Sequence, residues 1–177
     1  MRVIANVRGQ LLRAIGLAAV LLALPLIALA DSFSLSAKPG HFNVKTLGPA
    51  VAKGTLSATI RITNFDGGQG WPPAAYVGFH QGTDRNQSVQ LLVIRNEETD
   101  AYVVAGYRVI ENGKEATIES LANLPLKSIV RVRLSFDKGA ITLLLNDQSP
   151  ITLRTPFTQV RPYVSVSSGT AEFTVDP

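Results

Sequence analysis

The chain of 177 residues contains no cysteine, and this absence narrows its chemistry before any motif is considered. No disulfide can crosslink the fold, so packing alone must stabilise it. Thiolate zinc sites, iron–sulfur clusters and cysteine nucleophiles are excluded, and so is a lipid-modified N-terminal cysteine. Histidine is scarce as well. His41 and His80 are the only two, and they lie 39 positions apart, without the spacing of a paired metal site.

Signatures of serine hydrolases and calcium sites are also missing. No G-x-S-x-G nucleophile elbow occurs, because the run Ser167-Ser168-Gly169 falls within closing strands predicted from the residue pattern. No dense Asp/Asn loop occurs either, although Asp66, Asp84 and Asn86 carry oxygen ligands of the kind that calcium binds. We therefore expect no cofactor, and calcium at these three residues is the alternative.

Positive charge is concentrated at the N-terminus. Three arginines in the first thirteen residues precede an uncharged, mostly apolar run, 14–30, which ends in Ala-Leu-Ala. This order is typical of a secretory signal peptide. We therefore predict a helical signal peptide over residues 1–30, cleaved after Ala30, and a periplasmic or secreted protein. A retained leader that anchors the protein is the alternative, although an apolar run this short, interrupted by Pro25, is at the lower limit for spanning a bilayer.

The rest of the chain is almost neutral. Of the 17 lysines and arginines, three lie in the leader, which leaves 14 against 13 acidic residues. This balance leaves no electrostatic footprint for nucleic acid or an anionic membrane, so we expect neither as a partner, except for membrane contact through an uncleaved leader. Residues 31–177 are enough to bury a core, and no repeat, linker or low-complexity tract divides them. We predict a single domain over this range.

Alternating apolar and polar residues dominate the chain after the leader. In residues 130–137 the valines, leucine and phenylalanine are expected to face a core, while Arg131 and Arg133 face outwards. Turn signals separate such runs, as at Asn112-Gly113, which suits the positive φ values of a two-residue hairpin. The pattern predicts an all-β sandwich or barrel. Further strands are expected at 55–62, 76–80, 89–94, 101–110, 115–121, 141–145, 151–153, 160–166 and 172–175.

Four segments resemble the concanavalin A-like lectin/glucanase superfamily, a jelly-roll group that also includes laminin G-like modules. The most specific runs from Leu126 to Leu153 and contains the hairpin VRVRLSFDKGAITLLLNDQSPITL. The others are GTLSATIRIT at 54–63, AYVGFHQ at 75–81 and RPYVSVSSGTAEFTVDP at 161–177. All four are structural segments and none is a chemical motif. The resemblance therefore implies an antiparallel two-sheet jelly-roll sandwich and leaves function open.

Glycosidases of that superfamily carry Glu-x-Asp-x-x-Glu or Glu-x-Asp-x-Glu on one strand. Here Glu98-Thr99-Asp100 begins the run, but Val103 stands in place of the second glutamate and Tyr102 fills the shorter spacing. Because retaining hydrolysis needs a pair of carboxyl groups, we predict a polar turn and no catalytic residue here. The alternative is a small glycoside hydrolase or polysaccharide lyase in which another set converges in one cleft, such as Glu98, Asp100, Tyr102 and His80.

A candidate binding surface lies near DGGQGWPPA at 66–74, whose glycines and prolines predict a long loop. Sugar sites combine a flat ring for stacking with planar polar groups that bond hydroxyls. Both occur in or beside this loop, in Trp71, Tyr76, His80, Asp84, Arg85 and Asn86. We therefore predict an exported, non-catalytic module that binds a glycan or an envelope or matrix protein, on the concave sheet or at the loop rim. Two alternatives are that Trp71 only covers the core edge and that the protein is structural, without a small ligand.

Overall fold

The computed structural model describes residues 30–66, 70–83 and 85–176. The predicted signal peptide up to residue 29 and the candidate residue Asp84 fall outside these ranges. Cleavage after Ala30 therefore stays a prediction. Within the described ranges, no helix is long and apolar enough to cross a membrane.

The described chain folds into ten antiparallel β-strands, which confirms the all-β prediction. Hairpin turns lie where the sequence predicted them: Asn112 and Gly113 have φ values of 51° and 75°, and Lys138 and Gly139 have values of 49° and 74°. The strands are β1 Asp31–Thr46, β2 Lys53–Asn64, β3 Ala74–His80, β4 Ser88–Ile94, β5 Tyr102–Glu111, β6 Lys114–Pro125, β7 Val130–Asp137, β8 Ala140–Leu145, β9 Ile151–Arg154 and β10 Arg161–Asp176.

Two long strands, β1 and β10, belong to both layers of the fold. Residues 161–167 of β10 pair with β3, whereas residues 170–176 pair with β2. β1 runs antiparallel to β10 along both halves. The front sheet therefore has the order β6-β5-β4-β3-β10-β1, and the back sheet has the order β9-β8-β7-β2-β10-β1.

The layer change in β10 takes place at Ser168-Gly169, where both residues have positive φ. A Cβ atom at Gly169 would lie 2.3 Å from the carbonyl oxygen of Asn64, so only glycine fits this crossing. β1 changes layer nearby, where its register with β10 shifts between Ala37 and Phe42.

Apolar contacts between the two sheets form the core. Alternate residues of β7 from Val130 to Phe136 are buried, and Arg131 and Arg133 between them are exposed, as the sequence predicted. The inward residues of β7 and β8 join those of β2, β3, β4, β5 and β10 in one cluster. Fully burying one such side chain stabilises the fold by about 1.5–3 kcal/mol. This packing accounts for a sandwich without crosslinks.

Three sequence-based boundaries differ from the observed strands. Residues 160–166 and 172–175, predicted as two closing strands, belong to the single strand β10. The return strand predicted at 115–121 extends to Pro125. The N-terminal strand β1, sixteen residues long, had no separate prediction. β10 was predicted as two strands because Ser167-Ser168-Gly169 consists of residues that are common in turns. Here these residues lie where a continuous strand passes from one layer to the other.

Candidate functional site

Buried polar side chains are concentrated on the outer face of the front sheet, the face that points away from the back sheet. Within the described ranges, six polar side chains are buried, and only Ser168 lies away from this face. The face follows from the register, because neighbours across an antiparallel ladder point to the same side. The other five are His80, Ser88, Gln90, Ser165 and Ser167.

A row of side chains crosses this face at right angles to the strands. Thr46 of β1, Tyr163 of β10, Gly78 of β3, Gln90 of β4 and Arg108 of β5 are consecutive register partners. The glycine makes room in the middle of the row. A Cβ atom at Gly78 would lie 3.1 Å from Cε1 of Tyr163 and 2.7 Å from the carbonyl oxygen of Val89. The Tyr163 ring can therefore lie close to the sheet surface.

A cleft of about 470 Å³ opens over this row, and we call it the front cleft. Gln90 and Arg108 of this row lie on its floor, together with His80, which is two residues from Gly78 in β3. One wall comes from β1 and the other from the segment before β4 together with the β5–β6 turn. The wall residues are Phe42, Val44, Thr46, Thr83, Arg85, Asn86 and Gly113.

Hydrogen bonds fix the polar floor of the front cleft. Arg108 Nε donates to Gln90 Oε1 at 3.2 Å, and Gln90 Nε2 donates to Ser88 Oγ at 3.1 Å. Ser88 Oγ in turn donates to the carbonyl oxygen of Arg85 at 3.1 Å. The amide of Gln90 is thus oriented from both sides, and the chain of bonds ties the floor to the segment that carries Arg85. Asn86 anchors the same segment, since Gly113 N donates to its carbonyl oxygen at 2.9 Å.

An aromatic cluster lies at one side of the front cleft. The rings of Phe42 and Trp71 are 5.1 Å apart in an edge-on arrangement, and Tyr76 lies 6.0 Å from Phe42. Phe42 is 36 % and Trp71 is 42 % exposed, so both offer ring surface to solvent. Two guanidinium groups stack on this cluster: Arg85 lies 5.0 Å from the Phe42 centroid, and Arg108 lies 4.6 Å from the Tyr76 centroid. Trp71 therefore belongs to an exposed platform and does not act only as a cover of the core edge.

The two tyrosines of the face keep their protons to high pH. Burial raises the pKa of Tyr163 to about 12, and the Ser88 hydroxyl and the charges of Arg85 and Arg108 oppose this rise only in part. Burial also raises the pKa of Tyr76, against the same two arginines. Both hydroxyls are therefore neutral at physiological pH.

Two hydroxyls of β10 are buried without a hydrogen bond to any described residue. They are Tyr163 Oη and Ser165 Oγ. The Ser88 hydroxyl is close enough to influence Tyr163, but the pair does not reach hydrogen-bond geometry. An unsatisfied buried hydroxyl costs about 1–3 kcal/mol. Such groups are uncommon in native proteins and call for a specific reason.

The structure brings most of the predicted binding residues together. Tyr76, His80, Arg85 and Asn86 lie on or over the outer face of the front sheet, and Trp71 flanks them. The His80 ring lies 5.3 Å from the Tyr163 ring. Asp84, the sixth candidate, is outside the described ranges.

The alternative catalytic set does not converge. Glu98 and Asp100 lie in the turn between β4 and β5, where the Arg95 side chain binds both of their carbonyl oxygens. His80 pairs with Ser88 at the opposite end of β4, and six residues of strand separate the two ends by about 20 Å. Tyr102 begins β5 at the Asp100 end and is exposed. The run Glu98-Thr99-Asp100 is thus the polar turn that the sequence predicted.

The residues of the calcium alternative are also spread out. Asp66 accepts a hydrogen bond from Asn64 Nδ2 at 2.8 Å; Asn64 is the last residue of β2, and Asp66 follows the strand. Asn86 instead contacts the β5–β6 turn at Gly113. Nowhere in 30–66, 70–83 or 85–176 do three His, Asp or Glu side chains form a group that could hold a metal ion.

Sequence reasoning missed four residues of this surface: Phe42, Gln90, Arg108 and Tyr163. Gln90 and Arg108 are single polar residues in otherwise apolar strands, and this interruption was the available signal. Nothing local marks Phe42 or Tyr163, because their roles depend on β1 and β10 lying side by side.

No protein-family model matches the chain, and no curated protein is significantly similar to it in sequence. Solved structures do share its architecture. The carbohydrate-binding module CBM66 from Bacillus subtilis is 13 % identical, with a TM-score of 0.56 over 83 % of this chain and 92 % of that one. The carbohydrate recognition domain of Emp46p, in a metal-free form, is 10 % identical, with a TM-score of 0.52 over 83 % and 84 %.

An alginate lyase from Pseudomonas aeruginosa is also similar in structure. It is 18 % identical, with a TM-score of 0.51 over 69 % of this chain, which spans 62 % of the lyase. At these identities the likeness concerns the fold and does not extend to activity. The ten strands in two layers, and the neighbours that share them, show that this chain has the concanavalin A-like jelly-roll fold.

Proposed function

We propose that the protein is an exported glycan-binding module and that the front cleft holds the sugar. The observation that carries the proposal is the concentration of buried polar side chains on the sheet face that points away from the core, beside a 470 Å³ cleft. A sheet face that serves only as a surface has no reason to orient an amide such as that of Gln90 from both sides. The fold of carbohydrate-binding neighbours is consistent with this function.

The walls of the front cleft suit a sugar ring. Carbohydrates present an apolar ring face and a rim of hydroxyls, so their sites combine exposed aromatic surface with planar hydrogen-bonding groups. Phe42 and Trp71 supply the aromatic surface. Gln90, Asn86 and Arg108 supply the planar polar groups around the cleft.

A glycan array followed by isothermal titration of the purified protein tests the proposal. Trp71 is the only tryptophan and packs against the cleft wall, so its fluorescence should change with each glycan that binds. Replacing Phe42 with alanine should raise Kd about fivefold, since a ring contact contributes about 1 kcal/mol. Ile129→Ala, which removes another exposed apolar side chain outside the front cleft, is the control and should bind normally. If no glycan binds, the proposed function is wrong.

Polysaccharide cleavage by elimination is a second candidate function, favoured by the 5.3 Å contact between the His80 and Tyr163 rings beside Arg108. In this reaction His80 would take the proton next to a uronate carboxylate, and the released electron pair would form a carbon–carbon double bond. The bond to the departing sugar oxygen would break, and that oxygen would take the Tyr163 proton. The raised pKa of Tyr163 makes its hydroxyl a weak acid, and the complete burial of the side chain also favours binding as the main function.

The elimination product contains a conjugated double bond, which absorbs ultraviolet light. A lyase would therefore raise the absorbance of a polyuronate solution, and His80→Ala would abolish the rise. No increase with the unmodified protein on any polyuronate would exclude this second function and leave glycan binding untouched.

A further inference from the structure

We infer that the ligand of the front cleft is an acidic saccharide, recognised through a carboxylate that Arg85 and Arg108 bind. The inference rests on the proposed function, because it specifies the chemical class of the glycan. The inference follows from the contacts of the two guanidinium groups. Surface arginines usually pair closely with carboxylates, whereas these two lie mainly against aromatic rings and an amide oxygen.

Arg108 is held mainly by neutral groups. Its guanidinium lies over the Tyr76 ring at 4.6 Å, and its Nε atom donates to the Gln90 amide oxygen. Its one carboxylate neighbour among the described residues, Glu115, is 3.9 Å from Nη1, beyond hydrogen-bond distance. The Arg108 side chain is only 18 % exposed. A guanidinium in such a position is partly desolvated, and its two terminal nitrogens match the two oxygens of a carboxylate.

Arg85 carries the second charge at the same cleft. Its guanidinium lies 5.0 Å from the Phe42 centroid, and among the acidic residues in the described ranges none lies within ion-pair distance of it. Both arginines act on the same two phenols, Tyr76 and Tyr163, which shows that their charges converge on one part of the face. The cleft therefore holds two positive charges, and among the described side chains only Glu115 lies within ion-pair distance of either of them.

A carboxylate fits this arrangement better than a neutral hydroxyl. Guanidinium groups bind carboxylates in a planar, two-bonded geometry, and such charge-assisted bonds are about twice as strong as neutral ones. The rings of Phe42 and Trp71 lie beside the charges and can take the sugar that carries the acid. The cleft thus places a stacking surface beside an anion site, which is the pattern expected for a uronic acid.

The test compares oligosaccharides that differ only in charge. Hexamers of mannuronate, guluronate and galacturonate are titrated into the purified protein, alongside the same hexamers with methyl-esterified carboxylates and a sulfated neutral oligomer. At least one free uronate should bind, and its ester should bind about tenfold to a hundredfold more weakly. Higher ionic strength should weaken the uronate and leave any residual ester binding unchanged.

Two charge-matched variants locate the effect. Arg85→Gln should weaken uronate binding about tenfold, because it removes one charge-assisted contact, and should weaken ester binding by a smaller factor. Arg131→Gln removes an equal charge from an exposed position on the back sheet and should have no effect. Equal losses in the two variants would indicate a response to overall charge and would overturn the inference.

The outcomes separate the inference from the function beneath it. If a neutral or esterified glycan binds tightly and the free acid binds no better, carboxylate recognition is refuted, whereas glycan binding at the front cleft is still supported. Equal binding of sulfated and uronate oligomers would show recognition of charge alone and would also overturn it. Binding of no saccharide at all would refute the proposed function itself.

Discussion

Gly78 offers the sharpest test of how the front cleft is built, through its replacement with alanine. The residue lies in β3 between Tyr163 and Gln90 in the register and is not in a positive-φ conformation. Alanine is therefore compatible with its backbone, and the effect of the substitution depends on space alone. The new Cβ atom would lie 2.7 Å from the carbonyl oxygen of Val89 and 3.1 Å from the Tyr163 ring.

The size of the effect follows from these two contacts. A backbone carbonyl in the middle of a sheet cannot move away without disturbing its ladder, and overpacking of this kind costs about 1–3 kcal/mol. Replacing glycine also restricts the unfolded chain, which returns about 0.4–1 kcal/mol. The free energy of unfolding should therefore fall by about 1–2 kcal/mol, and Tm by about 2–4 °C for each kcal/mol.

Urea unfolding followed by circular dichroism measures this change as a lower midpoint at an unchanged slope. Gly48→Ala is the matched control, since its Cβ atom would meet only Pro162 Cγ at an ordinary 3.8 Å. It should stabilise the protein by about 0.4–1 kcal/mol. The Gly78 variant should also bind the front-cleft ligand more weakly, because the Tyr163 ring moves. If both variants have the same midpoint, the close packing of Tyr163 over Gly78 is refuted.

Three further predictions concern pH, a turn and the core. Because the pKa of Tyr163 is raised from 10.0 to about 12, the folded state holds this proton more tightly than the unfolded state does. The resulting stabilisation is complete below pH 10.0 and is lost as the pH rises through about 12. Tyr163→Phe should therefore flatten the decline in unfolding free energy over that range in alkaline urea titrations. Asn146 has a φ of 48°, and its Oδ1 accepts a 2.8 Å hydrogen bond from Arg131 N. Chemical unfolding should show that Asn146→Ala lowers the free energy of unfolding by about 1–2 kcal/mol. Asn146→Gly should lower it less, because glycine tolerates that φ. Leu134→Ala should lower the free energy of unfolding by about 2–5 kcal/mol, because the Leu134 side chain is fully buried. Arg133 is exposed, so Arg133→Ala should change that free energy by no more than about 0.5 kcal/mol, and similar values for both variants would contradict the sandwich core.

The architecture was largely accessible from the sequence because most of its signals are local. The β7–β8 hairpin shows period-two alternation on both sides of a Lys-Gly turn, and that pattern alone determines which residues face the core. The layer change in β10 was not accessible. Gly169 readily adopts positive φ whether the chain reverses or only kinks, and the choice between the two depends on β1, more than one hundred residues away.

The candidate site was predicted in part, and for a related reason. Trp71, Tyr76 and His80 stand out because rings and polar groups cluster around one loop. Gln90, Arg108 and Tyr163 come together only through the strand order of the front sheet. Alternation indicates that a residue points away from the core, but it does not reveal which residue of another strand lies beside it.

The pairing of β1 with β10 has a consequence for when the protein can fold. Asp31 lies opposite Val175, so β1 cannot pair until β10 is present. β10 also lies in the middle of both layers, next to β3 in one and next to β2 in the other. Pairings this remote in sequence form slowly. A nascent chain therefore cannot complete either layer of the sandwich until β10 has been synthesised.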